Sequence, residues 1–395
     1  MVLFVGNSGG VDLGILDRRV TNTIAKPLVF AKSSEDFIAE AHDSGLGVVL
    51  PGEAWRNQLP IGHPKRAGAF KDVQYALKDQ LDISAAPLSP DFVAEFSGHY
   101  LEEQLTARAT LTTTPGHVHD IEGGVGREND LALAEAMSKD FLSRRAHHPV
   151  GEGGLSRTLF ASIFVHGRLL IDAVPSLIDA YASIRVGGYW VVVVNCSGTR
   201  QELAAVSDLV VGLEARTGRP SVVSGAGPAQ LTLPPYGAAA TCTGVNGVGF
   251  SYPPPDWAEV KRKRAQTKGN KKDPGIAVPP WHREALANLP LGLKWAERRA
   301  ELFRRWPCDC GAHERDQPPA PSEVRTHNLI CGQRDAAGIF LPAADAGRAE
   351  LARRINEASA VRAATGMTRL GASWRGAAFA HRRRVDDERI DQPGS

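Results

Sequence analysis

From the N-terminus to about residue 250, short β-branched or aromatic runs alternate with helical stripes, and this order constrains the fold more than any other feature. The candidate strands are Val2 to Val5, Pro27 to Phe30, Gly47 to Leu50, Leu111 to Thr114, Ile163 to Val165, Tyr189 to Val194, Ser221 to Ser224 and Ala240 to Thr243. Between them, Leu133, Met137 and Phe141 recur every four residues over 130–145, with Asp130 as the candidate N-cap. Leu203, Val206, Val210 and Leu213 form a second stripe over 200–216, which Gly218 and Pro220 end. Strand, helix, strand in units of roughly 35 residues demands parallel pairing through crossover helices. About eight such strands predict an α/β chain with a (β/α)8 TIM-like barrel over residues 1–255. Two glycine-rich stretches, Ser224 to Gly227 and Gly244 to Gly249, follow the last strands. Barrels hold phosphate or a planar ligand against backbone amides there.

Composition agrees with a large packed core. Of 395 residues, 43% are hydrophobic and 23% charged, which excludes a disordered or fibrous chain. No apolar run approaches the roughly 20 residues that cross a bilayer. The first residues, Met1 to Asn7, carry no basic stretch of the kind that opens a secretory signal. The expectation is a cytoplasmic protein with no membrane partner. Five cysteines, three of them within Cys308 to Cys331, suggest metal or redox chemistry under reducing conditions rather than a disulfide framework. The chain has no Walker loop, no Gly-x-Gly-x-x-Gly after a strand and no Gly-x-Ser-x-Gly elbow, which argues against nucleotide hydrolysis and serine-esterase chemistry.

The composition shifts after Phe250. Pro253 to Pro255 open a loop, and Lys261, Arg262, Lys263, Arg264, Lys268, Lys271 and Lys272 then crowd one short stretch. Residues 256–282 therefore read as a basic, Pro-rich linker whose cations would contact nucleic-acid phosphates in a salt-sensitive way. Residues 283–382 read as a helical module, with helices near 283–305 and 348–364, and 383–395 as a polar tail.

The sharpest local signal lies inside that module. Cys308-Asp309-Cys310-Gly311-Ala312-His313 is followed by His327 in Thr326-His327-Asn328-Leu329 and then by Cys331. Tetrahedral zinc takes four N/S ligands, and a tight Cys-x-Cys knuckle is helped by the small Gly311. Cys308, Cys310, His313 and His327 form the preferred ligand set, with Cys331 as the substitute where His313 points away. Four protein ligands make such a zinc structural.

This order of a Cys-x-Cys knuckle, a third ligand position, a His and a helix resembles the zinc-binding C-terminal part of tRNA-guanine transglycosylases. That family joins a (β/α)8 barrel to a zinc subdomain and exchanges guanine in tRNA for a 7-deazaguanine base, with related members acting on DNA. The resemblance implies a purine or 7-deazapurine ligand, a tRNA or DNA partner, and a Gly225/Gly227 loop similar to the family's Gly-Val-Gly segment. His313 stands where the family has a third Cys. The stretch Gly237 to Thr243 holds no carboxylate where the family's nucleophilic Asp would stand.

A second constellation is Thr114-Pro115-Gly116-His117-Val118-His119-Asp120. Strand alternation puts His117 and His119 on one face, and Asp120 could orient a His or act as acid, base or nucleophile. His166 ends another strand. Asn195 and Asn246 offer a donor and an acceptor to a base edge, as Gly225 and Gly227 offer backbone amides. Three readings follow: base exchange on nucleic acid with His117, His119 and Asp120 at the mouth; a metal-dependent barrel hydrolase using His117 and His119; and a non-catalytic barrel that binds nucleic acid or a partner subunit.

Overall fold

The computed structural model describes residues 2–6, 13–21, 23–25, 35–51, 87–119, 125–147, 158–226, 231, 233–244, 279–291, 295–342 and 344–367. The fold is α/β. Strands β1 (Val2–Gly6), β2 (Thr23–Ala25), β3 (Gly47–Val49), β4 (Thr112–Thr113), β5 (Val118–His119), β6 (Leu159–His166), β7 (Gly188–Val194), β8 (Ser221–Ser224) and β9 (Ala240–Gly244) form one curled sheet. Its order is β3-β2-β1-β9-β8-β7-β6-β4, with β5 also on β6, and every pair is parallel. Beyond this path, Val49 and Leu111 form a parallel bridge, and the Thr110 N–H donates to Val48 O at 2.7 Å. Helices α1 (Glu35–Asp43), α2 (Pro90–Thr106), α3 (Val125–His147), α4 (Gly167–Ala182) and α5 (Arg200–Thr217) alternate with the strands.

The central strands explain why the sheet is buried on both sides. β6 reads LFASIFVH and β7 reads GYWVVVV, nearly continuous apolar runs as parallel strands under helices require. Leu159, Ala161, Ile163 and Val165, with Tyr189, Val191 and Val193, join the core that the helices cover. The alternate residues Phe160, Phe164, Trp190, Val192, Val194 and Val222 pack together with Val118, Ala240 and Cys242 on the other face. Glycine makes room for these rings: a Cβ on Gly188 would lie 2.5 Å from the Phe160 ring. Helix α5 is bounded as the sequence predicts. Thr199 and Glu202 form a capping box, and Gly218 closes the helix at φ 67.

Three boundaries differ from the sequence reading. Helix α3 begins at Val125, so Asp130 lies inside it, fully buried, and is not its N-cap. The helix expected from residue 283 begins only at Ala296, because β10 (Trp281–His282) and β11 (Ala287–Asn288) pair antiparallel first. β2 occupies Thr23–Ala25, while the expected Pro27 to Phe30 strand lies outside the described residues.

The hairpin leads into α6 (Ala296–Arg305), α7 (Val324–Phe340) and α8 (Ala344–Ala364). Helix α7 packs on β1, on the hairpin and on the 3-10 turn Pro234–Tyr236. Its Gln333 side chain accepts from the Asp17 N–H at 2.5 Å and donates to Ile15 O at 3.2 Å. One buried cluster runs from Leu13 through the sheet to Leu351, Ile355 and Ala358, so the C-terminal helices share the core of the sheet body. Asp335, 1% exposed, cross-braces them by accepting from Trp281 Nε1, Arg283 Nε and Arg354 Nη2 at 2.7 to 2.8 Å. No helix among the described residues is long and apolar enough to cross a membrane.

Candidate metal centre

Helix α6 stops at Arg305, and Trp306 and Pro307 turn the chain into the Cys-x-Cys knuckle. The Cys308 N–H donates to Arg315 O at 2.8 Å, which closes the loop on itself. Gly311 takes φ 77, the left-handed backbone that Gly adopts without strain, and the Ala312 N–H points at Cys310 Sγ at 3.4 Å. Opposite the knuckle, His327 and Cys331 stand one turn apart on α7, so both side chains face it.

One ligand atom each from Cys308, Cys310, His327 and Cys331 lies within 4.8 Å of all the others. His327 Nδ1 is 3.8 Å from Cys308 Sγ, 3.3 Å from Cys310 Sγ and 3.7 Å from Cys331 Sγ, and the Cys308 and Cys331 sulfurs are 3.7 Å apart. A tetrahedron with bonds of about 2.3 Å to sulfur and 2.0 Å to nitrogen has edges of roughly 3.5 to 3.8 Å. These separations match, so the group could hold a metal ion and is compatible with zinc.

The surroundings fit a ligating histidine. His327 Nε2 donates to Trp281 O at 2.5 Å, which turns Nδ1 toward the sulfurs. Burial alone would lower the His327 pKa, yet Cys308 and Cys310 hold it up at about 9. Contacts from Cys308 and Cys331 pull the Cys310 thiol far below its ordinary value, while Cys308 and Cys310 push Cys331 far above. Three thiols this close cannot all ionise together, and a bound divalent cation removes that conflict.

The ligand set differs from the preferred reading at one position. Cys331 completes the four-atom group, and His313 stands outside it. His313 Nδ1 lies 2.7 Å from Glu314 O, and its Nε2 lies 2.9 Å from His327 Nδ1. The His327-x-x-x-Cys331 spacing on one helix was the available signal, because residues four apart share a face.

The second constellation lies on the helix side of the sheet. Val118 faces the Phe164 and Trp190 cluster, while His117 and His119, both buried, face α3 and α4. Asp130 is their common partner. The His117 N–H donates to Asp130 Oδ1 at 3.1 Å, His119 Nε2 lies 3.3 Å from Oδ2, and the Tyr181 hydroxyl donates to Oδ2 at 2.5 Å. Burial opposes the Asp130 charge, but the two histidines outweigh it and hold its pKa below the ordinary carboxylate value. Burial, with Asp130 beside it, raises Tyr181 well above the usual phenol value.

At the C-terminal ends of β6 and β7, Asn195 Nδ2 lies 3.4 Å from His166 Nδ1, and Asn195 is exposed at φ 50. Glu202 fixes this loop, its Oε2 accepting from the Ser197 and Thr199 amides at 3.0 Å. Gly225, buried at φ 84, follows β8. Asp120, Gly227, Asn246 and the basic residues Lys261, Arg262, Lys263 and Arg264 lie outside the described residues. Compared with known proteins, the chain matches no family model and no curated protein.

Proposed function

We propose that the chain is a zinc-braced (β/α)8 barrel that exchanges guanine in tRNA or DNA for a 7-deazaguanine base. One observation carries this reading: an all-parallel sheet and a three-cysteine, one-histidine group share a single buried core, sheet first and metal group after it as in the transglycosylase resemblance, with Cys331 taking the place of the third ligand expected at His313. The Val49–Leu111 bridge joins the two ends of the strand path, which supports closure into a barrel. The zinc is structural, since three thiolates and an imidazole leave no open coordination position.

In this reading the chemistry belongs to the rim formed by the C-terminal ends of the strands. A base must leave its stack to react, and the rim offers it side-chain amides and backbone N–H groups. Asn195 supplies both a donor and an acceptor, and its left-handed backbone, of order 1 kcal/mol in strain, is of the kind kept at working sites. His166 stands beside it, and Gly225 contributes backbone. Glycosyl exchange needs a carboxylate nucleophile. Asp120, directly after β5, is the candidate, and the basic run from Lys261 would hold the phosphates. The hydrolase alternative is weaker: Asp130 and Tyr181 already engage His119 Nε2, Asp130 Oδ1 also lies 3.5 Å from His117 Nδ1, and among the described residues only the Cys308 group gathers three or more ligands.

The test is incorporation of labelled guanine into tRNA and into DNA by zinc-loaded protein. Incorporation is expected, with kcat/KM at least about tenfold lower for Asn195→Gly at unchanged thermal stability. A folded, zinc-loaded protein that binds nucleic acid but incorporates no label into either substrate would refute exchange and favour the non-catalytic barrel.

A further inference from the structure

At the opposite end of the strands, where β6 starts at Leu159 and β7 at Gly188, a cleft of about 640 Å3 opens. Three arginines line it: Arg145 near the end of α3, Arg185 before β7 and Arg219 before β8. Its apolar wall includes Phe141 and Leu142, the latter 40% exposed, and among the described residues its lining holds no Asp or Glu. Among the described residues none of the three arginines forms an ion pair. The chain as a whole is nearly neutral, at +2, so three guanidiniums around one concavity, with no carboxylate among its described lining residues, are a local concentration of charge.

Their backbone supports are fixed. Arg219 Nη1 donates to Ile184 O at 2.7 Å, which anchors one nitrogen and leaves the rest of its fork available. The Ser138 hydroxyl donates to Arg185 O at 2.5 Å, tying the Arg185 backbone to α3. Guanidinium forks match the oxygens of a phosphoryl group in pairs, and the apolar wall suits the organic part of a phosphate ester. We propose that this cleft is a phosphate-binding site, separate from the rim that carries the proposed base exchange and independent of that activity. The phosphoryl group comes either from a nucleic-acid backbone or from a free nucleotide.

The experiment is calorimetric titration of the full chain with inorganic phosphate, AMP and a short single-stranded oligonucleotide, against chloride at matched ionic strength. Arg145→Gln/Arg185→Gln changes two exposed side chains, and Arg219→Lys keeps a charge while losing the fork. Binding to the wild type is expected, weakened about tenfold or more in the double variant and less in Arg219→Lys. A loss confined to AMP assigns the free nucleotide, and a loss confined to the oligonucleotide assigns the backbone. Equal affinity in wild type and both variants, or no binding above the chloride control, would overturn the proposal.

Discussion

Removing the metal from the Cys308/Cys310/His327/Cys331 group tests the structure most directly. The ion would tie the knuckle to α7 across a segment whose ends, Cys310 and His327, are 17 positions apart. Treated as a cross-link, closing a loop of that length removes roughly 3 kcal/mol of unfolded-chain entropy, to which the metal–ligand bonds add. The assay is urea unfolding followed by tryptophan fluorescence, since Trp281 and Trp306 flank the site. Chelator-treated protein should lose about 3 kcal/mol or more, and one equivalent of zinc should restore it. Cys308→Ser/Cys310→Ser should bind no zinc and ignore the chelator. His313→Ala should keep the metal while Cys331→Ser loses it, and the reverse result would exchange these two residues as ligands. Coincident unfolding curves with and without chelator, or zinc retained by the double Cys variant, would refute the reasoning.

Other perturbations follow from buried contacts. Asp130→Asn leaves His117, His119 and Tyr181 without their anion, and should cost about 3 kcal/mol at pH 7 by urea titration. The Asp130 pKa is lowered in the folded chain, so its stabilisation is full above about pH 5 and fades as pH falls from the ordinary carboxylate value toward the lower folded one. A gap between wild type and variant that stays constant from pH 5 to pH 3 would contradict this. Asp335→Asn should cost about 3 to 5 kcal/mol, because two guanidiniums and an indole lose a buried carboxylate. In a cycle with Arg354→Ala the two effects should fall short of their sum, and strict additivity would mean no coupling. Gly116→Ala would place a Cβ 2.1 Å from the Phe164 ring, so a loss of about 1 to 3 kcal/mol is expected and an unchanged midpoint would argue against that contact.

Much of the strand framework is legible in the chain, and the reasons are local. Ser221–Ser224 and the Arg200–Thr217 helix carry their own edges: β-branched residues in one case, Thr199 and Gly218 in the other. The parallel arrangement follows from crossover length. The role of Asp130 was hidden because its partners come from β5 and α4, and no spacing in the sequence joins them. The β10–β11 hairpin was hidden too. Trp281 and His282 form a strand only two residues long, held by Asn328 and Ala287 rather than by strand propensity. In the metal group the knuckle was readable from Cys308 and Cys310, whereas choosing between His313 and Cys331 needed the side-chain directions that α7 imposes.

The pairing of β1 carries a consequence for how the chain matures on the ribosome. Val2 pairs with Ala240 and Phe4 with Cys242, so β1 finds one of its two neighbours only after more than 200 further residues have been translated. Helix α7, which packs on the same strand, emerges later still. At about 5–20 residues per second, β1 waits on the order of ten seconds or more with an open edge. Such an edge is a template for pairing with other chains. Nascent chains that stall before β9 should therefore be aggregation-prone and dependent on chaperones.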